Sequence, residues 1–155
     1  PRRRGRGPAM KPTTAPRHQA RALALQILCG IDLNPVTAKE ALRRFAASFG
    51  ASGLDSSNEA FLVDLVEGTC AEREELDRLI AEASRNWRVS RMAAVDRNLL
   101  RLATYELLHH PEIPKRVTLN EAVELAKGYG TTESRAFING VLDRVALLVP
   151  REQDG

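Results

Sequence analysis

The side chains best suited to catalysis or metal binding are carboxylates, histidines and cysteines, and their spacing limits what they can do. Glu106 and His109 have the Glu-x-x-His spacing of di-iron helix bundles, but such a site needs a second pair and further carboxylates, and no second pair is present. Cys29 and Cys70 lack CxxC spacing, and residues 128–130 lack the lysine and third glycine of a phosphate-binding loop. We therefore predict no metal, no cofactor and no enzymatic activity.

A second group of side chains suits nucleic-acid binding. Arginines attract phosphates, an accessible aromatic ring stacks on an unpaired base, and a carboxylate accepts hydrogen bonds from base edges. Arg17 and Arg21 lie one helical turn apart near the start of the chain, and Glu133, Arg135 and Phe137 lie close together near its end. Two simpler interpretations stay open: Phe137 also fits the margin of an apolar core, and Glu133 also fits the acidic first turn of a helix.

The composition of the 155-residue chain favours an all-α fold. Apolar residues make up 43% and charged residues 28%, which is ordinary for a globular domain with a sizeable core. Aromatic residues are only 5%, and the apolar residues are mainly Ala, Leu and Val, which pack helices more readily than sheets. The longest apolar stretch, from Leu23 to Ile31, is interrupted by Gln26 and is too short to cross a bilayer. We expect a cytoplasmic protein without membrane contact.

Charge is divided unevenly along the sequence. The net charge is +3, but residues 1–21 hold seven basic and no acidic residues, whereas the remainder holds 16 basic and 20 acidic ones. The seven are Arg2, Arg3, Arg4, Arg6, Lys11, Arg17 and Arg21. This division predicts a polyanion as the ligand of the basic end and a basic partner for the body. Residues 1–16, rich in Gly, Pro and Arg, are predicted to form a disordered basic arm.

Apolar periodicity divides the rest of the chain into helices. It predicts helices over residues 17–32, 36–49, 59–85 and 91–109 and a pair within 118–145, with a bend or break of the third at Gly68. The resulting six or seven helices are expected to form one domain over residues 17–149, made of two packed subdomains, approximately 17–86 and 87–149. Residues 150–155 would be a tail. The segment 91–109 has the widest apolar stripe and is predicted to be the central helix.

The helix pair within residues 118–145 carries its own boundary signals. Thr118 and Glu121 have the spacing of a capping box, which satisfies unpaired amides at a helix start. Gly128 and Gly130 are suited to a backbone with positive φ, a common end of a helix. The first helix of the pair is therefore expected to begin at Thr118 and to end at these glycines.

Four long motifs carry a family resemblance. They are RHQARALALQIL at 17–28, WRVSRMAAVDRNLLRLATYELL at 87–108, TLNEAVELAKGYG at 118–130 and FINGVLDRV at 137–145. On these motifs the chain resembles the NusB family of bacterial transcription antitermination factors over residues 17–149. The resemblance implies an all-helical fold of two subdomains. It also implies binding to the boxA element of nascent ribosomal RNA together with NusE, a small-subunit ribosomal protein, in a complex that keeps RNA polymerase from terminating.

The resemblance also implies roles for individual residues. RNA contacts are expected at the starts of the first and last helices, and NusE contacts at the start of the central helix. The RNA-binding residues would be Arg17, His18, Arg21, Glu133, Arg135 and Phe137, and the partner-binding residues would be Arg91, Asp96 and Arg97. The two RNA-binding groups come from opposite ends of the chain and would have to be neighbours. Because some members of the family are expected to dimerise, a homodimer is left open.

Two other functions fit parts of the same pattern. A NusB-like helical unit precedes the catalytic domain of ribosomal RNA cytosine methyltransferases, although this chain contains no methyl-donor-binding glycine loop. A helical adaptor that binds only protein, with an incidental basic arm, would show the same periodicity. Loss of RNA binding with retention of partner binding would favour the adaptor.

Overall fold

The computed structural model describes residues 14–49, 53–85 and 87–151, which form seven α-helices, one short 3₁₀-helix and no strand. The α-helices are α1 (Thr14–Leu33), α2 (Ala38–Phe49), α3 (Ser56–Ala71), α4 (Arg73–Ser84), α5 (Ala94–His109), α6 (Lys115–Tyr129) and α7 (Ser134–Leu148). The 3₁₀-helix Val89–Arg91 lies between α4 and α5. The predicted all-α fold is confirmed.

The central helix is α5, as its wide apolar stripe predicted. Residues 98–107 are all buried, because α5 packs on α1, α3, α4, α6 and α7. α1 runs antiparallel to α5: Arg21 contacts Glu106 near one end of the pair, and Asp32 contacts Asn98 near the other. α5 is therefore the element against which the others are positioned.

α6 lies beside α1 and runs in the same direction. His18 contacts Glu121 on α6, and further along both helices the side chain of Gln26 donates a hydrogen bond to the Tyr129 hydroxyl. After Tyr129 the chain turns back into α7, which packs on α4, α5 and α6. The helices share one apolar core, so the two halves of the chain are packed against each other.

Two glycines serve close packing instead of the roles predicted for them. Gly68 lies inside α3, and the break between α3 and α4 is at Glu72. A Cβ at Gly68 would overlap the ring of Tyr105, so this glycine lets α5 approach α3. Gly130 follows α6 with a φ of −101°, which is not positive, and a Cβ there would crowd Ser134 Oγ at 2.5 Å. The expected break at Gly68 and the expected positive φ after α6 are both wrong.

α6 begins almost one turn before the predicted capping box. It starts at Lys115, directly after Pro114, whose fixed φ is compatible with a helix start. Thr118 lies inside the helix, and its hydroxyl donates to the Glu106 carboxylate at 2.7 Å. Glu121 contacts α1 rather than a helix amide. The capping-box prediction is wrong because both side chains have tertiary partners.

Three cationic side chains cap the C-terminal ends of helices. Lys115 donates to carbonyls at the end of α7, Arg144 to one at the end of α4, and Arg151 to carbonyls at the end of α5. Positive charge is favourable there because the last carbonyls of a helix lack partners within it. Arg151 therefore belongs to the folded domain and not to the tail predicted from residue 150.

The described residues correct the predicted boundary of the basic arm. α1 begins at Thr14, so residues 14–16 are helical and not part of a disordered arm. Residues 1–13, which form the rest of that arm, and residues 152–155 lie outside the described residues. None of the described helices has the length and apolar composition that a membrane span requires.

Candidate nucleic-acid interface

The first turns of α1 present two of the predicted RNA-binding residues. The Arg17 guanidinium lies over the ring of Phe61, 4.2 Å from its centroid, in a cation–π geometry. His18 Nδ1 lies 2.6 Å from Glu121 Oε1 on α6. Both side chains remain partly exposed, so this end of α1 offers positive charge to a ligand while its neighbours limit the motion of that charge.

Arg21 was also predicted to contact RNA, but it is a core residue. Only 5% of its surface is exposed. Its guanidinium donates to both carboxylate oxygens of Glu106 at 2.8 Å, and the same carboxylate accepts from Thr118 at 2.7 Å. Arg21 cannot turn to a phosphate without leaving Glu106 buried and unpaired, which is costly. We therefore correct its role: Arg21 joins α1 to α5 and thereby positions Arg17 and His18.

The start of α7 presents the other predicted group. Glu133 precedes the helix, is exposed and makes no side-chain capping hydrogen bond, and Arg135 is exposed in the first turn. Phe137 is only partly buried: it packs against the core, and its ring meets that of Trp87 at a centroid distance of 5.8 Å and an angle of 67°. Phe137 thus lies at the boundary between the core and the surface.

Trp87 is a candidate site residue that was not among the residues predicted from the sequence. It is the only tryptophan in the chain, it is 62% exposed, and it lies between α4 and the 3₁₀-helix. Arg85 and Arg88, both exposed, flank it in sequence. A tryptophan among arginines was a usable signal, because an accessible ring beside positive charge is typical of single-strand binding surfaces. Its contact with Phe137 depends on the packing of α4 against α7 and was not visible in the sequence.

The two predicted RNA-binding groups are connected by the seam between α1 and α6. Arg17 and His18 lie at one end of this seam, beside Glu121, and the pair of Gln26 and Tyr129 lies at the other, where α6 leads into the start of α7. Helical rise places Gln26 about 14 Å along α1 from Arg17. Arg17 is therefore separated along α1 from the exposed ring of Tyr129, which lies where α6 leads into α7.

Arg97, one of three residues predicted to bind a protein partner, is engaged within the fold. Its guanidinium donates to Asp32 on α1 at 3.1 and 2.9 Å and to the Met92 carbonyl at 2.8 Å. Burial alone would raise the pKa of Asp32, but hydrogen bonds from Asn98 and Arg97 outweigh it and lower that pKa. We therefore correct the role of Arg97, which fastens the end of α1 to the start of α5.

Arg91 and Asp96 are better placed for a partner. Arg91 ends the 3₁₀-helix and is exposed. Asp96 lies in the first turn of α5, where the helix dipole favours negative charge, and is partly exposed. Its Oδ1 atom is buried and has no hydrogen-bond partner within the described part of the chain, so any contact with a partner would use the exposed part of the carboxylate.

The residues first considered for metal or redox chemistry are dispersed. Glu106 is buried in the α1–α5 contact, whereas His109 is exposed with Nε2 2.7 Å from Glu72. Among residues 14–49, 53–85 and 87–151, no group of three or more His, Cys, Asp or Glu side chains is arranged for a metal ion. Cys29 and Cys70 are free thiols, and burial raises the pKa of each, which makes them less reactive.

Known proteins share both the sequence and the arrangement of these elements. A sequence model of the NusB family matches residues 18–147. The chain belongs to the NusB family. It is 44% identical over 142 residues to the transcription antitermination protein NusB of Geotalea uraniireducens, an alignment that covers 88% of this chain and 98% of that protein. It is 47% identical over 132 residues to NusB of Desulforapulum autotrophicum, covering 85% and 92% of the two chains.

Solved NusB structures have the same fold. T. maritima NusB matches with a TM-score of 0.79 at 33% identity, covering 90% of this chain and 96% of its own. A second match is to a crystal structure of the antitermination factors NusB and NusE in complex with double-stranded RNA, with a TM-score of 0.77 at 24% identity and coverage of 87% and 98%. At that identity the second match supports the fold alone. The predicted NusB-like fold is confirmed.

Proposed function

We propose that this member of the NusB family is an RNA-binding transcription antitermination factor. It binds boxA-type ribosomal RNA leader sequence together with NusE and helps RNA polymerase to avoid termination. The observation that carries this proposal is the family match over residues 18–147, together with relatives of nearly the same length that are named transcription antitermination proteins. The basic and aromatic side chains at the ends of the α1–α6 seam support RNA as the ligand.

The proposed RNA surface comprises two groups of side chains. At the start of α1, Arg17 and His18 supply positive or polar contacts to phosphates. At the start of α7, Arg135 supplies a further charge, Phe137 an aromatic ring edge, and Glu133 an acceptor for base amino groups. Arg17 and the Gln26–Tyr129 pair, where α6 leads into α7, are about 14 Å apart along α1, so a strand of several nucleotides is needed to engage both groups.

The seam itself contributes to this surface. The Tyr129 ring is exposed, and its hydroxyl accepts a hydrogen bond from the Gln26 side chain at 3.1 Å. Lys127, also exposed, adds positive charge near the end of α6. A strand that follows the seam would therefore meet both charge and an aromatic ring between the two terminal groups.

The proposed surface for NusE lies at the start of α5, around Asp96 and Arg91. Apart from its first 21 residues the chain is net acidic, with 16 basic and 20 acidic residues, which suits a basic ribosomal protein. Asp96 is partly exposed in the first turn of α5, which supports a contact of its carboxylate with a cationic side chain of that partner.

The proposal predicts that boxA-type RNA binds more tightly than a scrambled RNA of the same length and composition, and more tightly still when NusE is present. Fluorescence anisotropy of labelled RNA, titrated with the protein with and without NusE, measures both differences. Equal weak binding to the two RNAs in both conditions would contradict the proposal and favour a helical adaptor that binds only protein.

The partner surface predicts a separate effect of charge reversal. Asp96→Lys should weaken NusE binding by at least roughly tenfold, because like charges brought together at an interface are strongly unfavourable. Calorimetric titration of NusE without RNA measures this affinity. Glu74→Lys is the matched control, since Glu74 is an exposed acid in the first turn of α4 and loses the same helix-dipole interaction. An equal effect of the two substitutions would remove Asp96 from the proposed surface.

A further inference from the structure

Trp87 is connected to the end of α4 by its backbone, although most of its side chain is exposed. At 62% exposure the indole lacks the apolar burial that a side chain of this size normally gains. Trp87 N donates to the Ser84 carbonyl at 3.4 Å, and Ser84 Oγ donates to the Trp87 carbonyl at 3.2 Å. These contacts connect the Trp87 backbone to α4 and leave the indole accessible, which suits a binding platform.

The indole forms one wall of a groove with a volume of about 310 Å³. Phe137 lies on the opposite element, α7, with its ring at a steep angle to the indole. Gly140 also lines the groove, and a Cβ added there would meet no atom within 4 Å, so the space beside it is open. The other lining residues are Ser84, Arg85, Ala136 and Arg144. The volume lies at the small end of ligand pockets and suits a single planar ring system.

Two arginines, Arg85 and Arg144, line this groove, and others lie near its lining residues in sequence. Residues 84–93 contain three arginines and no acidic residue. Arg85 and Arg88 are exposed on either side of Trp87 in sequence, and Arg135 is exposed two residues before Phe137. An aromatic platform with guanidinium groups around it combines stacking of a base with attraction of its phosphates, as single-strand binding surfaces do.

We infer that the groove beside Trp87 and Phe137 binds one unpaired base of a single-stranded RNA. The base stacks on the exposed face of Trp87, and Arg85 and Arg88 contact the adjoining phosphates. Phe137, which is half-buried, supports the indole from the core side. The inference rests on the proposed function and extends the RNA surface to the segment between α4 and α5.

The single tryptophan provides a direct test, because all tryptophan emission comes from Trp87. Unlabelled single-stranded boxA-type RNA should quench this emission, and the quenching should saturate with the same dissociation constant that anisotropy of the labelled RNA gives. RNA binding with unchanged emission overturns the inference and leaves the proposed function intact. No RNA binding at all overturns both.

Substitutions of Trp87 test whether the ring contributes to affinity. Trp87→Ala should weaken RNA binding roughly 5- to 150-fold, the range that corresponds to the loss of one stacked base. Trp87→Phe, which keeps a ring, should recover most of this loss. Thermal unfolding of both variants checks the fold. Normal RNA affinity of a folded Trp87→Ala variant overturns the inference.

Filling the groove tests its occupancy without touching the aromatic residues. Gly140→Leu places a side chain in the open space and should weaken RNA binding at least roughly fivefold, by displacing one stacked base. Gly30→Leu is the matched control, because Gly30 is also a helical glycine with open space beside it and lines a different groove, between α1 and α2. Equal RNA affinities of the two variants overturn the inference. If Gly140→Leu binds RNA normally but no longer binds NusE, the inference is also overturned, and the groove is instead a protein-binding site.

Discussion

Replacing Arg21 with methionine should lower the free energy of unfolding by about 3–5 kcal/mol. The substitution keeps much of the side-chain volume but leaves the Glu106 carboxylate buried, with Thr118 as its one remaining hydrogen-bond donor in that contact. A buried charge without its counter-charge is among the most destabilising changes a core can undergo. Urea unfolding followed by circular dichroism measures the loss.

Two further variants show whether the buried charge is the cause. Arg21→Met combined with Glu106→Leu should regain most of the lost stability, since an apolar pair can replace a buried ion pair at little cost. Arg78→Met is the matched control, because the ion pairs of Arg78 with Glu75 and Glu82 are exposed to solvent and should contribute little to stability. If the double variant is no more stable than Arg21→Met alone, the loss does not come from an unpaired Glu106.

Gly68→Ala should lower the free energy of unfolding by about 2 kcal/mol, although alanine is the better helix former. A Cβ at this position overlaps the Tyr105 ring, which is only 5% exposed and cannot swing into solvent. Moving the ring also strains the 2.9 Å hydrogen bond from its hydroxyl to Asp64. Overpacking of this kind destabilises a core by up to about 3 kcal/mol. The higher helix propensity of alanine relative to glycine offsets about 1 kcal/mol of this loss. Thermal and urea unfolding measure the net effect.

A glycine with open surroundings provides the comparison. Gly128 lies in α6, and a Cβ added there would meet no atom within 4 Å. Gly128→Ala should therefore be neutral or stabilise the protein by up to about 1 kcal/mol. Combining Gly68→Ala with Tyr105→Leu should remove most of the cost of the alanine, because the clashing ring is gone. Similar stabilities of the two glycine variants would show that α3 and α5 are not as closely packed as the structure indicates.

Helix positions were largely predictable from the sequence because helix periodicity is local. An apolar residue every three or four positions marks a buried face whatever that face packs against, and on this basis α5 was correctly predicted to be central. Boundaries were less predictable where a side chain had two competing partners. Thr118 has the spacing of a capping residue, but the Glu106 carboxylate takes its hydroxyl and the helix begins after Pro114.

The sequence predicted which types of residue the candidate site contains, but it was less reliable about which particular residues are accessible there. Arginines are normally exposed, so Arg17, Arg21 and Arg97 were all expected to be surface cations. Arg21 and Arg97 instead face carboxylates that lie 85 and 65 positions away in the sequence. Trp87 was overlooked because its position beside Phe137 arises only when α7 packs on α4.

The sequence alone was enough to predict the all-helical fold, the family and the division of charge between the two parts of the chain. Each of these depends on composition, short-range periodicity or sequence motifs. The tertiary structure decided which charged and aromatic side chains remain available to a ligand. It buries Arg21, engages Arg97 and brings Trp87 to Phe137. The physical reason is that burial and pairing depend on partners distant in sequence, which local patterns do not encode.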